Sequence, residues 1–277
     1  MQVLAPAKIN LSLRVLNRRG DGFHKIETLI APISLYDEIK IERRSGKQEI
    51  AFRCDNPSVP KGKGNLVVRA ANVFFEETKV ASVSIELKKR IPHGAGLGGG
   101  SSDAASTLLG LNELFETNLP REELAKMAEM IGSDVPFFIF QSAAVCKGRG
   151  EVVCPTRLRE RLPLLLLKPE FGVPTQWAYS RWRDSSEISG VSYRPQPFDG
   201  LTFVNDLERP VFEKFPFLAQ LKMWLLKQPE VGTALMSGSG STVFAVIRDD
   251  ADGHLLANRA KGELDSELWT CVCETIG

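Results

Sequence analysis

The chain has 277 residues, of which 43% are hydrophobic and 25% charged, which is typical of a globular protein with one large or two medium domains. Its 35 Lys and Arg residues balance 34 Asp and Glu residues, which excludes a nucleic-acid-binding protein whose affinity rests on a broad basic face. The five cysteines are scattered and lack the spacing of zinc ligands, which predicts reduced thiols. The N-terminus shows no secretory pattern, and the apolar runs are far shorter than the ~20 residues of a membrane span. We therefore expect a cytoplasmic protein with no membrane partner.

Alternating apolar and polar residues predict the strands of the first half. Apolar residues at every second position from Ile9 to Val15 alternate with polar ones, which predicts a half-buried strand with a polar face that carries Lys8 and Asn10. A turn follows over residues 17–22, and shorter alternating runs recur at 39–41, 50–54 and 83–87. Several short strands of this kind favour a mixed or antiparallel sheet over a doubly wound parallel one.

Capping residues and helical spacing predict three helices in the same half. Asn65 can cap a helix whose apolar face includes Phe74. A second helix follows the Ser101-Ser-Asp103 start, and a third begins at Pro120 with Gly132 where a C-terminal cap glycine belongs.

The region 154–163 is rich in Pro, Arg and turn residues and predicts a boundary between two domains, 1–155 and 156–277. The second half has predicted strands at 164–167, on both sides of 237–241 and at 269–273. Predicted helices lie near 176–183, 217–227 and 251–263. Two α+β domains of similar size are therefore expected.

The segment from Ile91 to Asp103 is the most informative of the chain. Five glycines in the seven positions 94–100 leave the backbone amides unobstructed, and the following helix adds the positive end of its dipole, so the segment predicts a phosphate site. A flexible linker is the plain alternative, but Pro92 and a Ser-Ser-Asp cap bracket the segment tightly. A Walker loop is excluded because no Lys-Ser/Thr pair follows the last glycine. Gly94, Gly96 and Gly99 match the GxGxxG of a dinucleotide fold, which stays open as a weak alternative.

Three ordered motifs resemble the GHMP kinase superfamily: Pro6-Ala-Lys-Ile-Asn-Leu11, the glycine segment from Pro92 to Ser102, and Ser237-Gly-Ser-Gly-Ser241. Further segments resemble the members of that superfamily that act on a cytidine diphosphate alcohol. They are Arg18-Arg-Gly-Asp-Gly-Phe-His24, Gly132-Ser-Asp-Val-Pro-Phe-Phe138, Gly148-Arg-Gly-Glu151 and Asn205-Asp-Leu-Glu208. The resemblance runs from about residue 3 to about residue 247 and so covers nearly the whole chain.

The resemblance implies an α+β, two-domain GHMP kinase fold with its active site in the interdomain cleft. The N-terminal domain would resemble ribosomal protein S5, and the C-terminal domain would be a ferredoxin-like α/β sandwich. The implied activity is ATP-dependent phosphorylation of the 2-hydroxyl of CDP-methylerythritol in the non-mevalonate isoprenoid pathway. ATP and Mg²⁺ are the implied cofactors, and the chain is expected to be a monomer or weak homodimer.

The glycine segment is expected to hold the ATP phosphates through its amides and hydroxyls. The residues expected at the ATP site are Asn65, Pro92, Gly94, Ala95, Gly96, Leu97, Gly98, Gly99, Gly100, Ser101 and Ser102. No metal ligand can be fixed from the sequence, because Mg²⁺ often binds mainly through phosphate oxygens and water.

Asp134 is the candidate base, since it precedes the apolar run Val135–Phe140 and is expected at the mouth of an apolar wall. The resemblance places Lys8 beside it, so that Asp134 would accept the proton of the substrate hydroxyl while Lys8 lowers the pKa of that hydroxyl. The residues alone leave plainer alternatives open: a turn residue for Asp134 and a surface strand lysine for Lys8.

The cytidine end is expected around Asp21, Phe23 and His24, where Phe23 offers a stacking face and His24 a neutral imidazole for the base edge. Many relatives carry Tyr at position 23, so a phenol hydrogen bond is lost here while stacking is kept. Tyr179 is a weaker candidate for the opposite face of the base, and a core aromatic is its equal alternative. Asn10 and Gly238 are expected substrate contacts, and Lys147 stands where an arginine is common in the family.

Three other functions remain open at this stage. A different small-molecule kinase of the superfamily, of the mevalonate-pathway or homoserine type, is disfavoured by the segment that ends at His24. The alternative function of a dinucleotide-dependent oxidoreductase is supported only by the weak match of the glycines to GxGxxG. A catalytically inactive homologue is disfavoured because Lys8 and Asp134 are both present.

Overall fold

The computed structural model describes residues 1–18, 20, 22–45, 49–62, 64–79, 82–248 and 250–277. The strands within these ranges are β1 (Gln2–Arg18), β2 (His24–Arg43), β3 (Ile50–Cys54), β4 (Val83–Lys88), β5 (Ala144–Gly148), β6 (Val152–Pro155), β7 (Pro163–Lys168), β8 (Gln196–Phe198), β9 (Leu201–Asn205), β10 (Val231–Met236), β11 (Val243–Ile247) and β12 (Trp269–Glu274). The helices are α1 (Leu66–Thr78), α2 (Gly99–Leu114), α3 (Arg121–Glu129), α4 (Val135–Phe140), α5 (Thr175–Arg181), α6 (Glu208–Lys214), α7 (Pro216–Leu226) and α8 (Gly253–Glu263). The predicted α+β class is confirmed.

The described strands form two sheets. The first has the order β3-β4-β2-β1-β9-β8, with β5 and β6 attached to β2, and the second has the order β10-β11-β7-β12. Because β4 pairs antiparallel with β2 and parallel with β3, the first sheet is mixed, as predicted. The glycine segment therefore does not belong to a doubly wound parallel sheet, and the dinucleotide-fold alternative is wrong.

The opening hairpin is longer than the alternation predicts. β1 and β2 pair antiparallel over their whole lengths, with register shifts at Pro6/Ala7, Asn10/Ser12 and Val15/Asn17. The prediction of a half-buried strand is wrong where it matters most, because Lys8 and Asn10 are buried together with the apolar residues beside them. Both faces of β1 are covered, so its polar face lies inside the molecule and lines a cleft.

The predicted helix ends are confirmed at α1 and corrected at α3. Asn65 caps α1, since its Oδ1 accepts a hydrogen bond of 2.8 Å from the amide of Val67. Gly132 is not a left-handed cap: α3 ends at Met130 in right-handed conformation, and the amide of Gly132 still donates to the carbonyl of Ala128. The chain continues through a turn directly into α4. A glycine in left-handed conformation is therefore not needed to end α3.

The two halves of the chain share strands and core. β9 comes from the second half but pairs parallel with β1 at Ser12–Leu13, and so joins the first sheet. One core cluster contains Ile9 and Ile33 from the first sheet together with Leu166, Phe203 and Phe244 from the second half. The predicted boundary at residue 155 stays a prediction, but strand pairing crosses it. Among the described residues, no helix is both long and apolar enough to cross a bilayer.

Candidate active site

A cleft of about 1270 Å³ lies between the two halves and brings together most of the predicted residues. The first half contributes β1, the glycine segment and the start of α4, and the second half contributes α5 and the 237–241 loop. The predicted residues at its wall are Lys8, Asn10, Phe23, His24, Asn65, Pro92, Gly94, Ala95, Gly96, Leu97, Gly98, Gly99, Gly100, Ser101, Asp134, Tyr179 and Gly238. Asp21 lies outside the described residues, and Ser102 lies behind the wall, where its buried Oγ has no hydrogen-bond partner among the described residues.

The glycine segment forms a cradle that larger residues would not fit. Gly94, Gly96 and Gly98 have φ values of +64°, +74° and +70°, the left-handed region that suits glycine. A Cβ on Gly96 would lie 2.2 Å from the carbonyl oxygen of Ser237, and one on Gly98 would lie 2.9 Å from the ring of Phe138. These two glycines let the 237–241 loop, α4 and β1 approach the segment closely.

The carbonyl groups of the glycine segment bind the surrounding chain. Ala95 accepts a bond from the amide of Thr242, Gly96 from the hydroxyl of Ser237, and Leu97 from the amide of Lys8. At the start of α2, the amides of residues 99–101 have no intrahelical acceptor by helix geometry. The helix dipole adds positive potential at the same point. The segment therefore offers donors to an anion such as a polyphosphate.

Lys8 lies at the floor of the cleft and is 5% exposed, so the surface-lysine alternative is wrong. Its Nζ donates to Asn10 Oδ1 at 2.5 Å, and Asn10 Nδ2 donates to Thr28 Oγ1 at 2.8 Å. Burial lowers the pKa of Lys8, and the negative charge of Asp134 opposes that shift. The two predicted catalytic side chains therefore line one cleft, and the charge of Asp134 favours the ammonium form of Lys8.

Asp134 is an exposed residue at the first position before α4, where its side chain makes no capping bond to that helix. Gly150 packs beside it, since a Cβ there would lie 3.5 Å from Asp134 Oδ1. The charge of Asp134 also helps to raise the pKa of Tyr179, after the larger effect of burial. The carboxylate is thus free of the helix and belongs to the same cleft wall as Lys8 and Tyr179.

The predicted cytidine end holds an aromatic cluster. His24 stacks on Tyr179 with ring centroids 5.7 Å apart and lies edge-on to Trp182 at 6.0 Å. Burial, and then the charges of Arg18 and Arg183, lower the pKa of His24, which favours the neutral imidazole. Tyr179 faces the cleft and also packs on the second-half core, so both of its predicted roles have support.

Phe23 lies at the rim of this cluster with half of its surface exposed, and the guanidinium of Arg149 stands 5.0 Å from its ring centroid. Arg149 is a residue that the sequence analysis missed, although it lies inside the Gly148–Glu151 motif. Lys147, considered there instead, pairs with Glu27 at 3.1 Å and does not line the cleft. With Arg18 and Arg183, Arg149 gives this end of the cleft three cationic side chains.

A buried ion cluster beside the glycine segment was also missed. Lys89 pairs with Asp37 and, at 2.7 Å, with Asp103, the fifth residue of α2. Asp37 also accepts the amides of Arg90 and Ile91, whereas Asp103 Oδ1 has no partner among the described residues. The cluster fastens the strand that precedes the glycine segment to the helix that follows it.

Among the described residues, no three His, Cys, Asp or Glu side chains gather as a metal site.

Comparisons with known proteins agree with this geometry. Residues 65–142 match the family model "GHMP kinases N terminal domain", and residues 194–265 match "GHMP kinases C terminal". A 4-diphosphocytidyl-2-C-methyl-D-erythritol kinase of Methylacidiphilum infernorum is 41% identical over 98% of this chain and 96% of that protein. The kinase of the same name from Acetivibrio thermocellus is 36% identical over 98% of each.

Solved structures give the same result. A crystal structure of 4-(cytidine 5'-diphospho)-2C-methyl-D-erythritol kinase matches with a TM-score of 0.81 and 34% identity, and covers 100% of both chains. Homoserine kinase from Cytophaga hutchinsonii shares the fold, with a TM-score of 0.74 at 17% identity. The chain is therefore a two-domain GHMP kinase and belongs to the family of the 4-diphosphocytidyl-2-C-methyl-D-erythritol kinases.

Proposed function

We propose that this chain transfers the γ-phosphoryl group of ATP to the 2-hydroxyl of 4-(cytidine 5'-diphospho)-2-C-methyl-D-erythritol, a step of the non-mevalonate isoprenoid pathway. The observation that carries the proposal is the placement of Lys8 and Asp134 in one cleft with the glycine cradle. Phosphoryl transfer depends mainly on positioning and on neutralising charge, and the cleft supplies both.

In the proposed reaction, the amides of the glycine segment and of the first turn of α2 hold the phosphates of ATP. Asp134 accepts the proton of the acceptor hydroxyl, and the oxygen attacks the γ-phosphorus in line while the bond to the β-phosphate oxygen breaks. The ammonium of Lys8 stabilises the developing negative charge on the acceptor oxygen. The products are ADP and the phosphomonoester, and Asp134 then releases its proton to solvent.

The aromatic end of the cleft supports a cytidine diphosphate group on the acceptor. Phe23, His24 and Tyr179 offer ring faces and a neutral imidazole, and Arg18, Arg149 and Arg183 offer charge for a diphosphate. Acceptors without a base, such as homoserine or mevalonate, would leave this end of the cleft without a partner. This favours the cytidine substrate over the alternative small-molecule kinases.

The test is ³¹P NMR of the protein with ATP, Mg²⁺ and the cytidine compound. We expect a new phosphomonoester resonance that grows as ADP forms, and neither homoserine nor mevalonate should give one. Consumption of homoserine or mevalonate with the cytidine compound untouched would overturn the assignment. The use of Mg²⁺, the monomeric or weakly dimeric state and the cytoplasmic location stay predictions that rest on the family and on the composition.

A further inference from the structure

The Asn205–Glu208 motif lies outside the described chemistry, yet it binds the 237–241 loop tightly. Asn205 is 4% exposed, and its Nδ2 donates to the carbonyl oxygens of both Met236 and Gly238 at 2.7 Å. Glu208 accepts the amide of Met236 at 2.9 Å and pairs with the buried Lys222 at 2.5 Å. The end of β10 and the loop that follows it are thus held at three backbone groups.

The same motif is attached to β1 on its other side. The amide of Asp206 donates to the carbonyl of Leu13, and its carboxylate accepts the amide of Val15 at 2.8 Å. Because β1 also carries Lys8 and Asn10, the motif links the second-half loop to the strand with the predicted catalytic lysine. Asn205 is therefore part of a rigid bridge between the two halves.

The loop that Asn205 holds contacts the reaction site directly. A Cβ on Gly238 would lie 3.2 Å from Asn10 Oδ1 and 3.3 Å from Lys8 Nζ. The hydroxyl of Ser237 donates to the carbonyl of Gly96 at 3.0 Å, so the loop also fixes the glycine segment. A shift of this loop would displace both the lysine and the phosphate cradle.

We propose that Asn205 is a positioning residue: its amide group holds the 237–241 loop against Lys8, Asn10 and the glycine segment. Its other contact, Oδ1 with the amide of Leu207 at 2.9 Å, supports only the entry into α6. The inference rests on the proposed kinase activity. It assigns Asn205 to turnover rather than to binding, because the groups that the loop contacts in the cleft include Lys8, Asn10 and the glycine segment.

The test compares Asn205→Ala and Asn205→Asp with a matched control, Asn112→Ala. Asn112 also bonds a backbone carbonyl and a backbone amide, both of Leu119, but lies away from the cleft. A misplacement of about 1 Å can cost on the order of 100-fold in rate, so we expect Asn205→Ala to lower kcat by roughly 10- to 100-fold with little change in the KM for the cytidine substrate. Asn112→Ala should lose stability and keep its kcat. Asn205→Asp retains an acceptor for Leu207 but not the two donor bonds, so it should share the loss of turnover.

Hydrogen–deuterium exchange without any substrate gives a second readout. Peptides that cover residues 237–241 should exchange faster in Asn205→Ala than in the wild type or in Asn112→Ala. Should the Asn205 variants not fold, Ser237→Ala loosens the same loop without touching α6, and it should show the same fall in kcat with the KM for the cytidine substrate unchanged. Normal kcat in a folded Asn205→Ala, or in Asn205→Asp, would overturn the inference. The wild type could instead be inactive on the cytidine compound while its 237–241 peptides still exchange more slowly than those of Asn205→Ala. That result would count against the proposed function alone.

Discussion

The carboxylate of Asp134 is available to accept a proton, because in the described structure it neither caps a helix nor forms an ion pair. We expect Asp134→Asn to lower kcat by roughly 10²- to 10⁴-fold, the range for loss of a general base, and to leave ATP binding nearly intact. Steady-state kinetics and calorimetric titration with ATP measure the two effects. Asp184→Asn, which removes another exposed carboxylate of the same cleft, is the matched control. A variant of Asp134 that retains most of its turnover would show that positioning alone carries the reaction.

Phe23 tests recognition at the other end of the cleft. Base–aromatic stacking is worth about 1–3 kcal/mol, so Phe23→Ala should raise the KM for the cytidine substrate by roughly 5- to 150-fold while changing kcat less. Phe23→Tyr keeps the ring face and should be nearly neutral, and the KM for ATP should not move in either variant. The ring is 52% exposed, so its loss should cost little stability. A marked fall in melting temperature with an unchanged KM would instead identify Phe23 as a packing residue.

Because Asp103 belongs to the buried ion cluster, we expect the free energy of unfolding to depend on pH. Burial, opposed by Lys89, raises the pKa of Asp103 to about 7. Between its ordinary pKa and this raised value, the folded protein therefore binds a proton that the unfolded chain has released, and this group destabilises the fold as pH rises from about 4 to about 7. Urea unfolding of Asp103→Asn should show a growing gain in stability over the wild type across this range. If the free energies of unfolding of the two proteins changed with pH in the same way, this prediction would be wrong.

At the scale of elements, Asn65 combines a cap with a tether. Its Oδ1 caps α1, and its Nδ2 donates to the carbonyl of Pro60 at 2.7 Å on the wall of the cleft. Loss of an N-cap costs about 0.5–2 kcal/mol, so Asn65→Ala should lower the free energy of unfolding by about that amount. It should also weaken ATP binding, because Pro60, Gly64 and Asn65 line the same cleft as the glycine segment. Asn65→Asp keeps the cap and should recover most of the stability but not the affinity; urea denaturation and ATP titration separate the two.

The elements that the sequence predicts well are those with a clear period or punctuation. Alternation gives β3 and β4, and the capping asparagine gives α1. The apolar run of α4 is six residues long, and periodicity cannot separate a buried helix from a strand at that length. The strands β8 and β9 are short, and the place of β9 beside β1 depends on a pairing of residues about 190 positions apart.

In the candidate site, too, local patterns are predictable from the sequence, whereas contacts between distant residues are not. The glycine cradle is a local pattern, so the sequence predicts it, whereas Lys89, Asp37 and Asp103 meet only after three elements have packed. No spacing in the sequence marks such a cluster. Burial of Lys8 was equally hidden, because the alternation of β1 indicates a polar face without indicating that the second half covers it.

At the scale of the whole molecule, the shared core predicts that the two halves fold as one unit. A fragment of residues 1–155 would expose Ile9 and Ile33, which in the full chain pack on Leu166, Phe203 and Phe244. We expect this fragment to aggregate and to show no ATP binding, and the full chain to unfold in a single calorimetric transition. Two separate transitions, or a soluble fragment that binds ATP, would contradict this expectation.

The contact between Asn10 and Ser237 joins residues 227 positions apart, and this separation has a consequence for biosynthesis. Lys8 and Asn10 leave the ribosome first, and the loop that completes their surroundings is made about 227 residues later. At a synthesis rate of about 5–20 residues per second, this interval is about 10–45 s. Throughout it, the nascent chain displays an uncovered strand edge and an incomplete core, the exposed surfaces that molecular chaperones bind. A ribosome that stalls before codon 237 would therefore release a chain without a working acceptor site, so enzyme activity reports on completed synthesis.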